Sequence, residues 1–226
     1  MPSEVTVRYC QRPDQPGEFY WITFSTGGTL CFTEEEVLEN GLYEEGKCCE
    51  DFTGMCTVIL AKRMMAETAS YVLFTSRTEH QIRQRLQEKT ADAAEYAAWG
   101  EFLPDAVEEA VSRLKDLGYI DDAEYCRKYM RTAMRGRPAS RAALLNELVY
   151  KKGISKEIAE EAVREAFEGQ EAFTDAENAF RLLSKKTNGR VPQEAGERRK
   201  LYRYLLGKGF SYECIEQALK RLEEDG

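Results

Sequence analysis

The chain repeats itself. Residues 152–163 read Lys-Gly-Ile-Ser-Lys-Glu-Ile-Ala-Glu-Glu-Ala-Val, and residues 208–219 read Lys-Gly-Phe-Ser-Tyr-Glu-Cys-Ile-Glu-Gln-Ala-Leu, an offset of 56. A weaker copy lies at Phe102 to Val111, 52 residues before the middle one. Each copy reads as a helix, a glycine stop, a capping position and an amphipathic helix. Such punctuation also occurs in unrelated helix–turn–helix pairs. The shared Lys, Glu and Ala positions favour true repetition. A period near 50 residues is the mark of tandem helical units, each burying its own small core.

The rest of the chain is organised around that array. Val5 to Tyr9 alternates apolar and polar residues. Phe19 to Phe24 is aromatic and β-branched, and Gly27-Gly28 turns it into Thr29 to Phe32. These segments predict a small antiparallel sheet with a hairpin. Thr33 with Glu36 forms a capping box for a short helix that stops at Asn40-Gly41. From about Asp51 the period turns helical. A long apolar helix runs through Val58, Ile59, Met65, Val72 and Leu73, and Thr78 with Gln81 caps the next one. Pro104 opens a helix with Val107, Val111 and Leu114 inward, ended by Gly118. Asp121 with Glu124 caps a helix that runs to Arg135 and stops at Gly136. Ser140 caps a helix ending at Gly153, Ser155 caps one with Ile158, Ala162, Val163 and Ala166 inward, and further helices fill 172–224. The expected divisions are a β-rich element at 1–50, a long helix with the first repeat at 51–120, a second repeat at 121–168 and a third at 169–226.

Composition narrows the function. No run of 18 apolar residues is present, so no membrane-spanning helix is expected, and the first twenty residues carry no apolar signal core. Seven cysteines at irregular spacing read as free thiols in a reducing cytosol. Cys10, Cys31, Cys48, Cys49 and Cys56 fall in one small region, but no C-x-x-C pair is present, so no zinc site is expected. The acidic surroundings of Cys48-Cys49 would raise a thiol pKa, which argues against a thiolate nucleophile. The single histidine, His80, lies between Glu79 and Gln81 at a helix start and is expected on the surface. No phosphate-binding glycine loop, dinucleotide fingerprint or nucleophile elbow occurs. Asp121, Asp122 and Glu124 could be read as a carboxylate cluster, but the complete capping signature makes them a helix start. Gly118 would supply the left-handed stop before it, with Tyr119 and Ile120 plugging the core. Nothing here supports an enzyme, and no cofactor is expected.

Charge is laid out unevenly. The formal net charge of -8 conceals 5 basic against 12 acidic groups in residues 1–70, and 21 against 16 in residues 127–226. Between Arg127 and Lys152 eight basic groups face one acid, Glu147. Between Arg181 and Lys208 nine face two, Glu194 and Glu197. Arg127, Lys128, Arg131 and Arg135 recur at helical spacing, Arg137 and Arg141 follow around the turn, and Arg198, Arg199 and Arg203 repeat the arrangement. Such stripes neutralise phosphates, or carboxylates of an acidic protein partner; the plainer alternative is a set of solvated helix faces. Tyr125, Tyr129, Tyr202 and Tyr204 are interleaved. They could stack bases, although tyrosines at this spacing are more often half-buried.

These residues resemble the RecX regulatory proteins, which modulate the RecA recombinase. Gly118-Tyr119-Ile120-Asp121-Asp122-Ala123-Glu124-Tyr125 carries the strongest likeness. Gly136-Arg137-Pro138, Arg141, Leu145, Leu148 and Lys152-Gly153-Ile154 resemble the family's second repeat. Tyr71-Val72-Leu73, Arg77-Thr78-Glu79 and Ile82-Arg83 resemble the start of the first, and Gly207-Lys208-Gly209-Phe210 with Ile215 to Leu222 the third. The resemblance covers roughly residues 60–225. Two features depart from it: Thr90 to Glu101 intervenes where the first repeat should turn directly, and the chain is more acidic than expected of a filament ligand. The resemblance implies a mainly α fold of tandem three-helix repeats forming an elongated array, with a small β-rich N-terminal element. It also implies a cytoplasmic, monomeric, non-enzymatic regulator of recombination and DNA repair. Its partner would be the RecA filament, whose ATP hydrolysis and strand exchange it would restrain. The alternative is a helical-repeat protein that grips single- or double-stranded DNA directly.

Overall fold

The computed structural model describes residues 4–92, 94–136, 138–168 and 174–225. The chain divides into two compact units, one of residues 1–75 and 82–120, the other of residues 76–81 and 121–226.

The first unit joins a sheet to helices. Strands β1 (Val5–Gln11), β2 (Tyr20–Phe24), β3 (Thr29–Phe32) and β4 (Cys48–Cys49) form an antiparallel sheet in the order β3-β2-β1-β4, with a bulge between Val7 and Tyr9. Thr33 and Glu36 close the expected capping box on α1 (Glu34–Asn40), and Gly41 ends that helix in the left-handed region. Asp51 accepts the Gly54 N–H at 2.9 Å and starts α2 (Phe52–Leu73). Helix α3 (Glu79–Asp92) passes through a 3₁₀ segment, Ala94–Trp99, into α4 (Leu103–Asp116). The insertion that departs from the family pattern therefore has a use. Its Tyr96 and Trp99 are fully buried, and Trp99 stacks edge-on against Phe32 and Phe102 at 5.1 and 6.2 Å.

Beneath them lies Arg63, its side chain only 12 % exposed. It bonds both oxygens of Glu36, donates to the Cys31 carbonyl at 3.0 Å, and lies over the rings of Phe19 and Trp99. Nε and Nη2 are matched in this way, while Nη1 is buried without a hydrogen-bond partner among the described residues. Burial alone would raise the Glu36 pKa. The hydrogen bonds from Arg63 and Thr33 outweigh it and hold the carboxyl below its ordinary value.

The second unit contains two separate cores, which is what local repeats dictate. Helices α5 (Asp122–Arg135), α6 (Arg141–Asn146) and α7 (Lys156–Phe167) enclose Met130, Leu144, Leu148, Val163 and Phe167. Helices α8 (Asp175–Thr187), α9 (Ala195–Leu206) and α10 (Tyr212–Asp225) enclose Leu183, Leu205, Phe210, Ile215 and Leu219. The caps expected from the sequence are in place: Asp121 accepts from Glu124 N–H at 2.8 Å, Ser140 from Ala143 at 3.1 Å and Ser155 from Ile158 at 3.4 Å. Helix α6 widens into a π-turn, Glu147–Lys151. Gly153 lies five positions after Leu148, whereas Gly209 lies four positions after Leu205. The wider turn absorbs that extra residue and keeps Leu144 and Leu148 inward.

One pair of bonds occurs twice in this unit. Ser140 Oγ donates to the Lys208 carbonyl at 2.8 Å, and the Arg141 N–H donates to Asp175 Oδ1 at 2.8 Å. Likewise Thr78 Oγ1 donates to the Lys152 carbonyl at 2.7 Å, and the Glu79 N–H to Asp122 Oδ1 at 2.9 Å. Each Lys-Gly turn is thus received by a capping hydroxyl, and each Asp at the first turn of a helix by a backbone amide. Asn178 adds a bond from Nδ2 to the Ala139 carbonyl at 3.1 Å. Ser140 therefore does two jobs and Ser155 one. Ser140→Ala is expected to cost about 2 kcal/mol in chemical denaturation, cap plus buried hydrogen bond, against about 1 kcal/mol for Ser155→Ala. Equal losses would show that the bond to Lys208 contributes nothing.

Candidate interaction surface

Helix α5 forms because its capped start is followed by apolar residues at helical spacing, with Cys126 and Met130 buried. The opposite face carries the basic stripe. Glu124 sits among its cations: Arg127 Nε bonds it at 2.8 Å, Arg131 lies at 3.5 Å and Lys128 at 3.8 Å. The bond from Arg127 holds the Glu124 pKa below its ordinary value. Lys128 also donates to Ser76 Oγ at 3.2 Å. One carboxylate thus answers three cations, and Arg135 is exposed with no carboxylate partner among the described residues. Arg137 lies outside the described residues. Arg141 is not part of a continuous stripe, since its guanidinium rests over the Phe167 ring at 4.6 Å.

The other predicted cluster is split. Arg198 is tied to Glu223 at 2.8 Å, whereas Arg199 and Arg203 are exposed and carry no ion pair among the described residues. The interleaved tyrosines are half-buried: Tyr125 and Tyr129 pack against the α5–α7 core, Tyr202 and Tyr204 against the α8–α10 core. Tyr202 is further fixed by its hydroxyl on Glu216. They serve packing rather than an open stacking platform.

The helix-start motif is structural, with one correction and one addition. Gly118 adopts φ +75°, and Asp121 caps α5. Ile120 is buried at 5 % exposure, but Tyr119 stays 42 % exposed, so it does not plug the core. The left-handed turn at Gly118 aims only one of the two side chains inward. Asp122 has a role that spacing could not reveal, as the acceptor for the Glu79 amide. Gly153 and Gly209 take φ +69° and +83°. The buried thiols are poor nucleophiles: burial raises Cys56 to about 12 and Cys126 to about 11. Among the described residues no three His, Cys, Asp or Glu side chains gather as a metal site, and no helix is long and apolar enough to cross a membrane.

Separate cores, recurring turns and a cationic helix face define a class of protein: tandem three-helix domains presenting a basic surface. Comparison with known proteins makes this specific. Residues 121–163 match the profile of the second three-helix domain of RecX, and residues 174–219 that of the third. The regulatory protein RecX of Prosthecochloris aestuarii is 30% identical over 121 residues, 54% of this chain and 75% of that protein. The chain belongs to the RecX family. The regulatory protein RecX of Clostridium botulinum (strain Alaska E43 / Type E3) is 28% identical over 147 residues, covering 64% of this chain and 61% of the relative. The chain spans about three-fifths of the length of such clostridial relatives. A crystal structure of regulatory protein RecX superposes with a TM-score of 0.59 over 96% of this chain and 99% of that one, at 21% identity, and shares the fold. The crystal structure of RecX from Lactobacillus salivarius gives a TM-score of 0.55 at 25% identity, covering 73% and 97% of the two chains.

Proposed function

We propose that this protein is a non-enzymatic regulator that binds the RecA nucleoprotein filament and restrains its ATP hydrolysis and strand exchange. Membership of a family of regulatory proteins supports this reading. So does the α5 face, where Arg127, Lys128 and Arg131 share the single carboxylate Glu124 and Arg135 is exposed with no carboxylate partner among the described residues. A filament presents the same acidic or phosphate-lined surface at every protomer. Modules at fixed spacing along one chain meet several copies at once, and the second contact is then effectively intramolecular. Several weak contacts add to high avidity, and a filament is told from a free monomer by geometry.

The test is RecA ATPase on single-stranded DNA with the chain titrated in. Exposed charges on a helix contribute little to folding, under about 1 kcal/mol per pair. Arg131→Glu with Arg135→Glu should therefore melt as the parent does. At low salt it should need about tenfold more protein for the same effect, equivalent to ~1.4 kcal/mol of binding. The deficit should narrow at high salt as screening weakens the parent's binding. A double variant that melts normally and acts on the ATPase like the parent at low salt would remove this face from the interaction.

A further inference from the structure

Three helices enter their cores with the same spacing. Thr78 precedes buried Ile82 and Leu86, Ser140 precedes buried Leu144 and Leu148, and Glu197 precedes buried Leu201 and Leu205, each at four and eight residues. At the first two, the hydroxyl and the following amide receive a Lys-Gly turn and an Asp. At Glu197 neither bond can form. A carboxylate has no proton to donate to a carbonyl. Helix α9 also begins earlier, so the Glu197 and Arg198 amides are already bonded to the Glu194 carbonyl at 3.0 and 3.1 Å. The third corner is thus closed to the junction used by the other two.

What stands there instead is a cavity of about 430 Å³ bordered by Pro192, Leu201, Lys186, Arg190 and Lys200, with Glu197 on its rim. The three cations are exposed, and among the described residues none has a carboxylate within ion-pair distance. Lys186 and Lys208 both lie against the Tyr204 ring, at 4.5 and 5.9 Å. Three like charges around one concavity repel one another until an anion neutralises them.

We infer that this corner is a binding site for the phosphodiester backbone of a nucleic acid. The choice between a phosphate chain and an acidic protein helix follows from which donors are left. At the two filled corners a carboxylate is held by a directed amide while a hydroxyl bonds the adjacent turn, an arrangement that fixes one helix start in one pose. Here the hydroxyl and the free amide are gone, and the Lys186 and Lys200 ammoniums and the Arg190 guanidinium remain. Ammoniums act as undirected charges and a guanidinium forks onto paired phosphate oxygens. That set suits a polyanion recognised without regard to sequence, whose binding is driven by counterion release. The volume falls within the ~300–1,000 Å³ of ordinary ligand cavities, so it can seat a phosphate together with part of its sugar. The site is distinct from the α5 face and needs no recombinase.

The experiment measures fluorescence anisotropy of a labelled oligonucleotide, single-stranded and duplex, with the whole chain and no recombinase, from about 50 to 200 mM salt. The variant Lys186→Gln/Arg190→Gln/Lys200→Gln, verified by circular dichroism to melt like the parent, should bind at least tenfold more weakly at the lowest salt. The slope of log affinity against log salt should become shallower by about 2–3, close to one for each phosphate no longer neutralised. Lys156→Gln, which removes an exposed lysine paired with Glu160 on α7, should stay within twofold of the parent. If the triple variant misfolds, Lys186→Gln and Lys200→Gln singly should each reduce the slope by about one. A parent that does not bind the oligonucleotide, or a folded triple variant with an unchanged slope, would overturn the inference. So would polyglutamate competing as well as unlabelled oligonucleotide, which would hand the corner to an acidic protein. Each of these outcomes leaves the filament reading standing, because the ATPase assay reads it separately.

Discussion

Gly153→Ala should lower stability by about 3 kcal/mol, whereas Gly118→Ala should lower it by about 1 kcal/mol, although both glycines adopt a left-handed conformation. The strain common to both is the cost of placing an L side chain at positive φ, ~1–2 kcal/mol. The difference is space. A methyl on Gly118 would meet nothing within 4 Å, whereas one on Gly153 would fall 2.2 Å from His80 Cγ and 2.4 Å from His80 Cβ. Atoms so close to the His80 main chain cannot swing aside, so the helix start itself must move, and overpacking of this kind costs roughly 1–3 kcal/mol. Chemical denaturation of both variants makes the comparison. His80→Ala combined with Gly153→Ala should recover only part of the loss, because the Cβ contact remains. Equal losses at Gly118 and Gly153 would show that the close approach of the Lys-Gly turn to His80 is absent in solution.

Arg63→Ala should cost about 2–4 kcal/mol, since it strands the half-buried Glu36 carboxylate without its partner. The loss should depend on pH in a definite direction. In the parent the Glu36 pKa is held below its unfolded value of 4.5, so its contribution is fully present above that value and is lost as pH falls through the lower folded value. In the variant, burial without Arg63 raises the folded pKa instead, so protonation of Glu36 favours the folded state. The gap between parent and variant should therefore shrink below about pH 4.5. The double variant Arg63→Met/Glu36→Gln should lose less than Arg63→Ala alone. A stability difference independent of pH would show that lost packing, rather than a stranded charge, explains the effect.

Much of the fold is legible in the sequence because its signals are local. Capping residues, glycine stops and apolar spacing lie within a few positions of the turns they dictate, so Thr33, Thr78, Asp121, Ser140 and Ser155 can be placed as helix starts from sequence alone. The insertion from Thr90 to Glu101 can be seen as a departure but not understood, since burying Tyr96 and Trp99 depends on a sheet distant in sequence. Tyr119 departs from expectation for a related reason: a left-handed turn sets the direction of the next side chain, and composition says nothing of it. The surface is harder to read. Charge runs give the amount of positive charge in a segment, but not which cations are answered. Arg198 and Arg203 look alike in sequence, yet only Arg198 meets Glu223 across the helix pair. The corner at Lys186, Arg190 and Lys200 lies inside a charge cluster plain in the sequence. Its concavity depends on where α9 begins, and Glu194 gives that start no side-chain cap to betray it.

The separate cores bear on how the chain reaches its native state. Every residue of the α5–α7 core lies between positions 126 and 167, and every residue of the α8–α10 core between 179 and 222. Closing loops that short costs little entropy, so each triplet of helices can collapse before the other is made. During synthesis the α5–α7 helices can settle while the last ones are still being added. The bonds from Ser140, Arg141 and Asn178 then form last, because they need both partners already shaped. Amide hydrogen exchange should register that order in reverse. The Arg141 amide, held by Asp175 rather than by its own helix, should open together with the α8–α10 helices, while the buried turns around Leu144 and Leu148 stay protected.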